Sequence, residues 1–304
     1  DVLGSRGLGD VYKRQLLSSL LMLTGCSRRE LLDDYPVSGV DIKLDWNGVT
    51  DKLPEGVRVI FYPKSAEGRK IDTYLSVRGG KVKVPPGRYS VVAYNYDTET
   101  VQIRGEEAYE TIEAFTGYCN GLGIAGTEKM VWGPDPLYVV QINDLHIANS
   151  EEELLLDWKP KLVVKTYSFK IKVEGLEYVS SIVGSVEGMA GCYCLGRCCG
   201  MMNDAPIYFE AQGCSGEVTG SFTAFGLPEG AMSRASLAIK FTLAFVKVDN
   251  TVQKIEVDIT DVIVNSESGE GGGNDEPSKD IELPLDDDEV KVDKPENSSG
   301  GDLS

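Results

Sequence analysis

The feature that most restricts this chain is an alternation of apolar and polar side chains with a period of two. Tyr167, Phe169, Ile171 and Val173 alternate with Ser168, Lys170 and Lys172. Ile239, Phe241, Leu243 and Phe245 repeat the pattern, as do Ile255, Val257 and Ile259 against Glu256 and Asp258, and Lys81-Val82-Lys83-Val84 shows it in miniature. Successive side chains of an extended strand point to opposite faces, so each run has one face for a core and one for water. Val57-Arg58-Val59-Ile60-Phe61-Tyr62 adds a strand rich in β-branched and aromatic residues. The body is therefore read as all-β and antiparallel.

Turn residues punctuate these runs. Pro85-Pro86-Gly87 fits a type II turn, because proline presets the first φ and glycine accepts a positive second one, and it predicts a hairpin between Lys81–Val84 and Tyr89–Tyr94. Asp249-Asn250 predicts a second hairpin. Val84-Pro85-Pro86-Gly87 is echoed by Leu227-Pro228-Glu229-Gly230, each shortly before an apolar β run. The echo and the turn spacing suggest two copies of a related β-sandwich in tandem, over residues 38–157 and 158–265. Gly105 to Glu110 is read as the start of a short helix, and Trp132 to Pro136 as loop.

Residues 266–304 form a Gly-, Ser- and Asp-rich acidic tail, read as partly disordered. Its net charge of -10 is over half of the chain's -18, so the body is only mildly acidic, which argues against nucleic-acid binding. Ile281-Glu282-Leu283-Pro284-Leu285 is its apolar island: an edge strand docking on the body, the preferred reading, or a sticky spot in a loose tail.

Leu16 to Cys26 is an apolar stretch closing in Leu-Thr-Gly-Cys. It falls well short of the roughly 20 residues that span a bilayer and stops at small residues before a cysteine, as a cleaved lipoprotein signal does. Residues 16–25 are read as part of that signal, Cys26 as the acylated first residue of the mature protein, and 26–37 as the linker to the body. Several acyl chains on Cys26 would hold it to a membrane, since one chain anchors only marginally. Ser5 to Gln15 resemble one reading frame of a transposase sequencing adapter, so residues 1–15 are set aside as a scar.

Six further cysteines, Cys119, Cys192, Cys194, Cys198, Cys199 and Cys214, permit disulfides in an exported chain or a cluster of packed thiols. A structural zinc site needs two ligand pairs, and Cys194 with Cys198 or Cys199 supplies one, so no metal is assigned. Nothing calls for a bound cofactor. With His146 the only histidine, and neither a Gly-x-Ser-x-Gly elbow nor a phosphate-binding loop in the sequence, the chain is read as non-enzymatic. The rival function is glycan binding: Trp132 and Tyr138, with Tyr94, Tyr96 and Trp158, can stack on sugar faces if exposed together, or else fill the core.

Taken together, Leu23 to Cys26, Val57 to Tyr62, the run Lys81 to Asn95 and Val186-Glu187-Gly188-Met189-Ala190-Gly191 resemble the fimbrillin-associated anchor lipoproteins of Bacteroidales, and more closely a lipoprotein family related to them. The resemblance covers Cys26 to Val264. It implies two transthyretin-like antiparallel β-sandwich domains, an outer-membrane anchor at the cell surface through acylated Cys26, and a place in a fimbria. It also implies partnership with fimbrial shaft subunits by strand exchange, in which a segment of one subunit completes the sheet of another.

Overall fold

A computed structural model describes residues 38–50, 52–119, 129–150, 152–202, 205–231, 237–268, 281–283 and 290–295. The first half contributes β1 (Ser38–Leu44), β2 (Gly56–Pro63), β3 (Ile71–Ser76), β4 (Gly79–Val84), β5 (Gly87–Asn95), β6 (Val101–Arg104), β7 (Glu113–Thr116), β8 (Tyr118–Cys119), β9 (Met130–Trp132), β10 (Tyr138–Ile147), β11 (Leu154–Trp158) and β12 (Lys161–Leu162). The second contributes β13 (Lys165–Glu174), β14 (Val179–Glu187), β15 (Ala190–Cys194), β16 (Cys199–Met202), β17 (Ile207–Cys214), β18 (Glu217–Ala224), β19 (Lys240–Lys247), β20 (Val252–Asp258), the helix α1 (Thr260–Ser268), β21 (Ile281–Leu283) and β22 (Val290–Lys291). The all-β reading holds: α1 is the one α-helix among the described residues.

The two large sheets repeat one topology. In the first the order is β11-β1-β4-β3-β2-β5-β10, with β12 beyond; in the second it is β21-β13-β18-β17-β14-β19-β20. The opening strand of each, β1 or β13, pairs antiparallel with its inner neighbour and parallel with a later strand on its outer edge. The Pro-Gly echo falls at equivalent places, between β4 and β5 and between β18 and β19.

Equivalent too is a correction to the predicted hairpin. β4 and β5 do not pair; β3 and β2 lie between them in the sheet, and Gly87 is not among the residues with positive φ. The physical reason lies in the curl of the sheet. β3 and β4 pair only at Ser76 and Gly79, on either side of the turn Val77-Arg78, and separate beyond it. Pro85 and Pro86 then carry the chain across the curl. Three residue steps of about 3.3 Å span the ~10 Å between packed sheets, and prolines, which have no N–H to donate, suit a link outside any ladder. The Tyr89 hydroxyl donates to the Pro85 carbonyl at 2.9 Å and fixes the corner. The Asp249-Asn250 hairpin forms as predicted, joining β19 to β20 with Asn250 at φ 66.

The Gly105–Glu110 helix does not form. The segment is a turn, because its groups are taken by tertiary partners: the Glu106 carbonyl accepts from the Tyr62 hydroxyl and Lys70 Nζ, both at 3.0 Å. Trp132 ends β9, and loop begins after it.

Burial follows the alternation where a strand has one wet face and abandons it where both faces are covered. In β13, Tyr167, Phe169, Ile171 and Val173 are buried and the side chains of Lys170, Lys172 and Glu174 are exposed. They join Phe209, Phe222, Phe241 and Phe245 in one core, with Phe169 and Phe241 ring centroids 4.9 Å apart. In β5, Tyr89 through Asn95 are buried without interruption. One face, with Tyr89, Val91 and Ala93, fills the curl of the first sheet. The other, with Val92 and Tyr94, meets a third, four-stranded sheet of order β16-β15-β7-β6. That sheet mixes the halves: the β15–β16 hairpin leaves the second sheet to pair with β7.

Candidate functional site

The outer edge of β13 is where this fold can accept a strand. In the first repeat the equivalent edge of β1 carries β11, five residues paired in parallel from Val40 with Leu154 to Leu44 with Trp158. In the second, the tail takes that place, with two strands among its described residues. β21 pairs with Tyr167 to Phe169, and β22 pairs with Val173 and Glu174. The Ile281–Leu283 strand is the docking predicted for the apolar island; Pro284 and Leu285 lie outside the described residues.

β22 and the residues after it are gripped from both sides. The Val292 N–H donates to the Glu174 carbonyl at 2.9 Å. On the far side, the Gln253 side chain of β20 imitates a strand: its Nε2 donates to the Lys291 carbonyl at 2.8 Å, and its Oε1 accepts from the Asp293 N–H at 3.0 Å. Val292 is 2% exposed and sits in the aromatic core. The Val292 carbonyl lies so close to Gly175 (φ 82) that a Cβ there would stand 2.4 Å from it, so this seat demands glycine. The tail segment thus bridges the two edges of the second sheet.

The predicted aromatic pair is not brought together. Tyr138 is buried, edge-on to Trp46 at 5.3 Å. Trp132 is 44% exposed and stands edge-on to Tyr208 at 5.6 Å. Trp158 and Tyr94 are core residues. A different aromatic pair is open to solvent: Tyr74 at 61% and Tyr96 at 44%, their centroids 5.3 Å apart and nearly perpendicular. Sequence reading missed Tyr74, whose one visible signal is a tyrosine on the wet side of a strand.

Beside them lies the densest polar network of the first half. Arg58 donates to both Asp72 oxygens (3.0 and 2.7 Å), to both Glu106 oxygens (2.6 and 2.9 Å) and to the Tyr94 hydroxyl (2.9 Å). Hydrogen bonds to Asp72, then to Glu106, hold the guanidinium even more firmly protonated than usual. Burial, chiefly, pushes the Tyr62 and Tyr94 hydroxyls above their ordinary range. All five guanidinium N–H donors are committed, so this network organises structure rather than offering a reactive group. His146 is exposed on β10, opposite Arg88.

All six cysteines of the body are free thiols. Cys119 is buried beneath the second sheet and Cys214 is exposed at the end of β17. Cys192, Cys194, Cys198 and Cys199 gather in and around the β15–β16 hairpin, and Cys194 faces Cys199 directly in its register. Among the described residues no group of three or more Cys, His, Asp or Glu side chains is placed to hold a metal ion. Cys26 lies outside the described residues.

The chain is similar to known proteins over most of its length. A model of a "Domain of unknown function (DUF5119)" matches residues 25–210. A relative from Bacteroides ovatus, the "Putative fimbrium anchoring subunit Fim4B", is 58% identical over 94% of this chain and 91% of its own. The crystal structure of a "putative adhesin from Bacteroides ovatus" is 57% identical, superposes with a TM-score of 0.74, and covers 90% of this chain and 99% of that one. The fold alone is shared with the fimbrial anchor protein Mfa2 from Porphyromonas gingivalis, at 11% identity and a TM-score of 0.50 over 77% of this chain and 86% of that one. With a matching model over more than half of its residues and a relative of this identity, the chain belongs to the DUF5119 family.

Proposed function

We propose that this protein is a non-enzymatic cell-surface lipoprotein that anchors a fimbria, held in the outer membrane by acyl chains on Cys26 and joined to a shaft subunit by strand pairing at the outer edge of β13. The name of the 58% identical relative supports the anchoring role. The observation that carries the strand reading is the contrast between the two repeats. Where β11 covers β1 with five continuous pairs, the tail residues that the structure describes cover β13 with three and two. Parallel pairing is slightly weaker per residue than antiparallel, so a longer strand from a neighbour competes well for this edge. Its main chain gives affinity, and its alternate side chains, set over Tyr167, Phe169 and Ile171, give specificity.

The test is expression with a native start and signal in a Bacteroidales host, followed by shearing of surface filaments and blotting of filaments and membranes. Filaments shed into the medium when Cys26 is replaced by Ala support the anchor. A Cys26→Ala protein that stays in the membrane fraction without detergent ends the lipid-anchor reading.

A second reading, glycan binding at the surface, draws on the exposed rings of Tyr74, Tyr96 and Trp132. Glycan-array binding lost in Trp132→Ala or Tyr96→Ala favours it, and a blank array leaves the fimbrial reading alone.

A further inference from the structure

The hairpin β15–β16 ends in a four-residue turn, Leu195 to Cys198, and its last pair joins Cys194 to Cys199. Residues directly opposed in an antiparallel ladder have Cα atoms about 4.5–5.5 Å apart, within the 4.4–6.8 Å that a disulfide takes, and point to the same face. Their Cβ atoms stand about 4.5–5.5 Å apart, so a small closing of the hairpin end brings them to the roughly 3.5–4.5 Å of a bridge.

From this geometry we propose that Cys194 and Cys199 form a disulfide when the chain is exported. The surroundings favour this pair over its neighbours. The Cys194 thiol donates to the Glu110 carbonyl at 3.7 Å, and the Cys199 thiol donates at 3.4 Å to Glu229, which pairs with Arg197 at 3.4 Å. Cys198 occupies the turn at φ 52, and its thiol donates instead to the Leu195 carbonyl at 3.6 Å. Cys192 lies opposite Met201 and Phe115, beside Glu113. Those positions leave each of the two without a directly opposed thiol.

The reaction is thiol–disulfide exchange with a disulfide oxidant. The Cys199 thiolate attacks one sulfur of the oxidant and expels a thiolate. Cys194 then attacks the Cys199 sulfur of the mixed disulfide and expels the second. Two electrons pass to the oxidant, and the two thiol protons end on its two reduced thiols. Burial first, then Glu229, pushes the folded Cys199 thiol up to about 11, so the thiolate is scarce in the folded hairpin. Oxidation therefore belongs to folding, before the hairpin closes on β7. The bond pins the segment through which the second repeat grips the first: the Leu195 N–H donates to the Ile112 carbonyl at 3.0 Å, and the Gly196 carbonyl accepts from Gln141 Nε2 at 3.0 Å. Gly196 passes so close to Tyr109 that a Cβ there would lie 1.9 Å from its carbonyl.

Only the oxidising compartment rests on the surface reading above; the pairing itself is tested in a tube. The full chain carrying Cys26→Ser is reduced, unfolded, refolded in a glutathione redox buffer, alkylated with N-ethylmaleimide and weighed intact. Trypsin then cuts after Arg197, so that Cys194 and Cys199 fall in separate peptides. The expected result is four alkylated thiols of the six, and one linked peptide pair whose fragmentation places the bond between Cys194 and Cys199. The link persists in Cys192→Ser and Cys198→Ser and disappears in Cys199→Ser. Six alkylated thiols in protein with a β circular-dichroism spectrum, or a link that survives Cys199→Ser, overturns the proposal. Either result leaves the anchoring reading untouched, because fractionation of the Cys26 variant judges that separately.

Discussion

Replacing Val292 by Ala tests whether the tail segment is a unit that opens by itself. Val292 is 2% exposed, and the change removes two methyl groups from the aromatic core. At about 0.8 kcal/mol per buried methylene-sized group, with a small cavity term added, the loss is about 2 kcal/mol. The backbone bonds to Glu174 and Gln253 remain, so the loss falls on the local opening equilibrium of residues 290–295. That equilibrium is read by native-state hydrogen exchange. A shift of about 2 kcal/mol speeds exchange of the Val292 and Asp293 amides by about 30-fold, while amides inside β19, protected by the global fold, keep their rates. Two results refute the reasoning. Unchanged exchange at Val292 and Asp293 means that the side chain does not hold the segment. An equal rise in β19 means that the segment opens only when the whole domain does, and so is not available for replacement by a partner strand.

Two further predictions follow from polar contacts. Arg58→Lys keeps the charge but loses the paired forks to Asp72 and Glu106; with hydrogen bonds to charged groups worth about 1.5–3 kcal/mol each, urea denaturation should show a loss of about 2 kcal/mol, and an unchanged midpoint would dismiss the network as a stabiliser. Asp258 accepts from the Thr260 N–H at 2.9 Å at the start of α1, and its bonds to the Thr260 side chain and then its N–H lower its pKa. The depressed folded pKa means that its contribution is present above the ordinary carboxylate range and lost as pH falls through the folded value. Stability of the native protein minus that of Asp258→Asn should be flat from pH 7 to about 5 and shrink below it; a difference that grows on acidification would reverse the assignment.

Much of the fold was readable because alternation records which side of a strand is wet. The burial of β13 follows it residue by residue. Alternation is silent on which strand lies next to which. Lys81–Val84 and Tyr89–Tyr94 looked like partners because Pro85-Pro86-Gly87 lies between them, yet β3 and β2 stand between them in the sheet, and that depends on β3 and β4 separating beyond Ser76 and Gly79. The partners of Arg58, 14 and 48 residues away, leave no local trace. The tail was half legible. Val290-Lys291-Val292-Asp293 alternates as Lys81–Val84 does, a signal masked by the surrounding acids. Gln253, a polar residue on a wet-faced strand, gives no hint that its amide stands in for backbone.

The pairing of β1 bears on how such a molecule meets tension. A pull applied at Ser38 along the strand axis runs into six backbone pairs with β4 on one side and five with β11 on the other. Hydrogen bonds set perpendicular to a pull share it and must fail together, whereas a strand peeled from its end gives them up one at a time. Between two neighbours, β1 is loaded in shear from both flanks, and the Pro85-Pro86 link lies off that line. The repeat nearest the pull is thus built as a mechanical clamp.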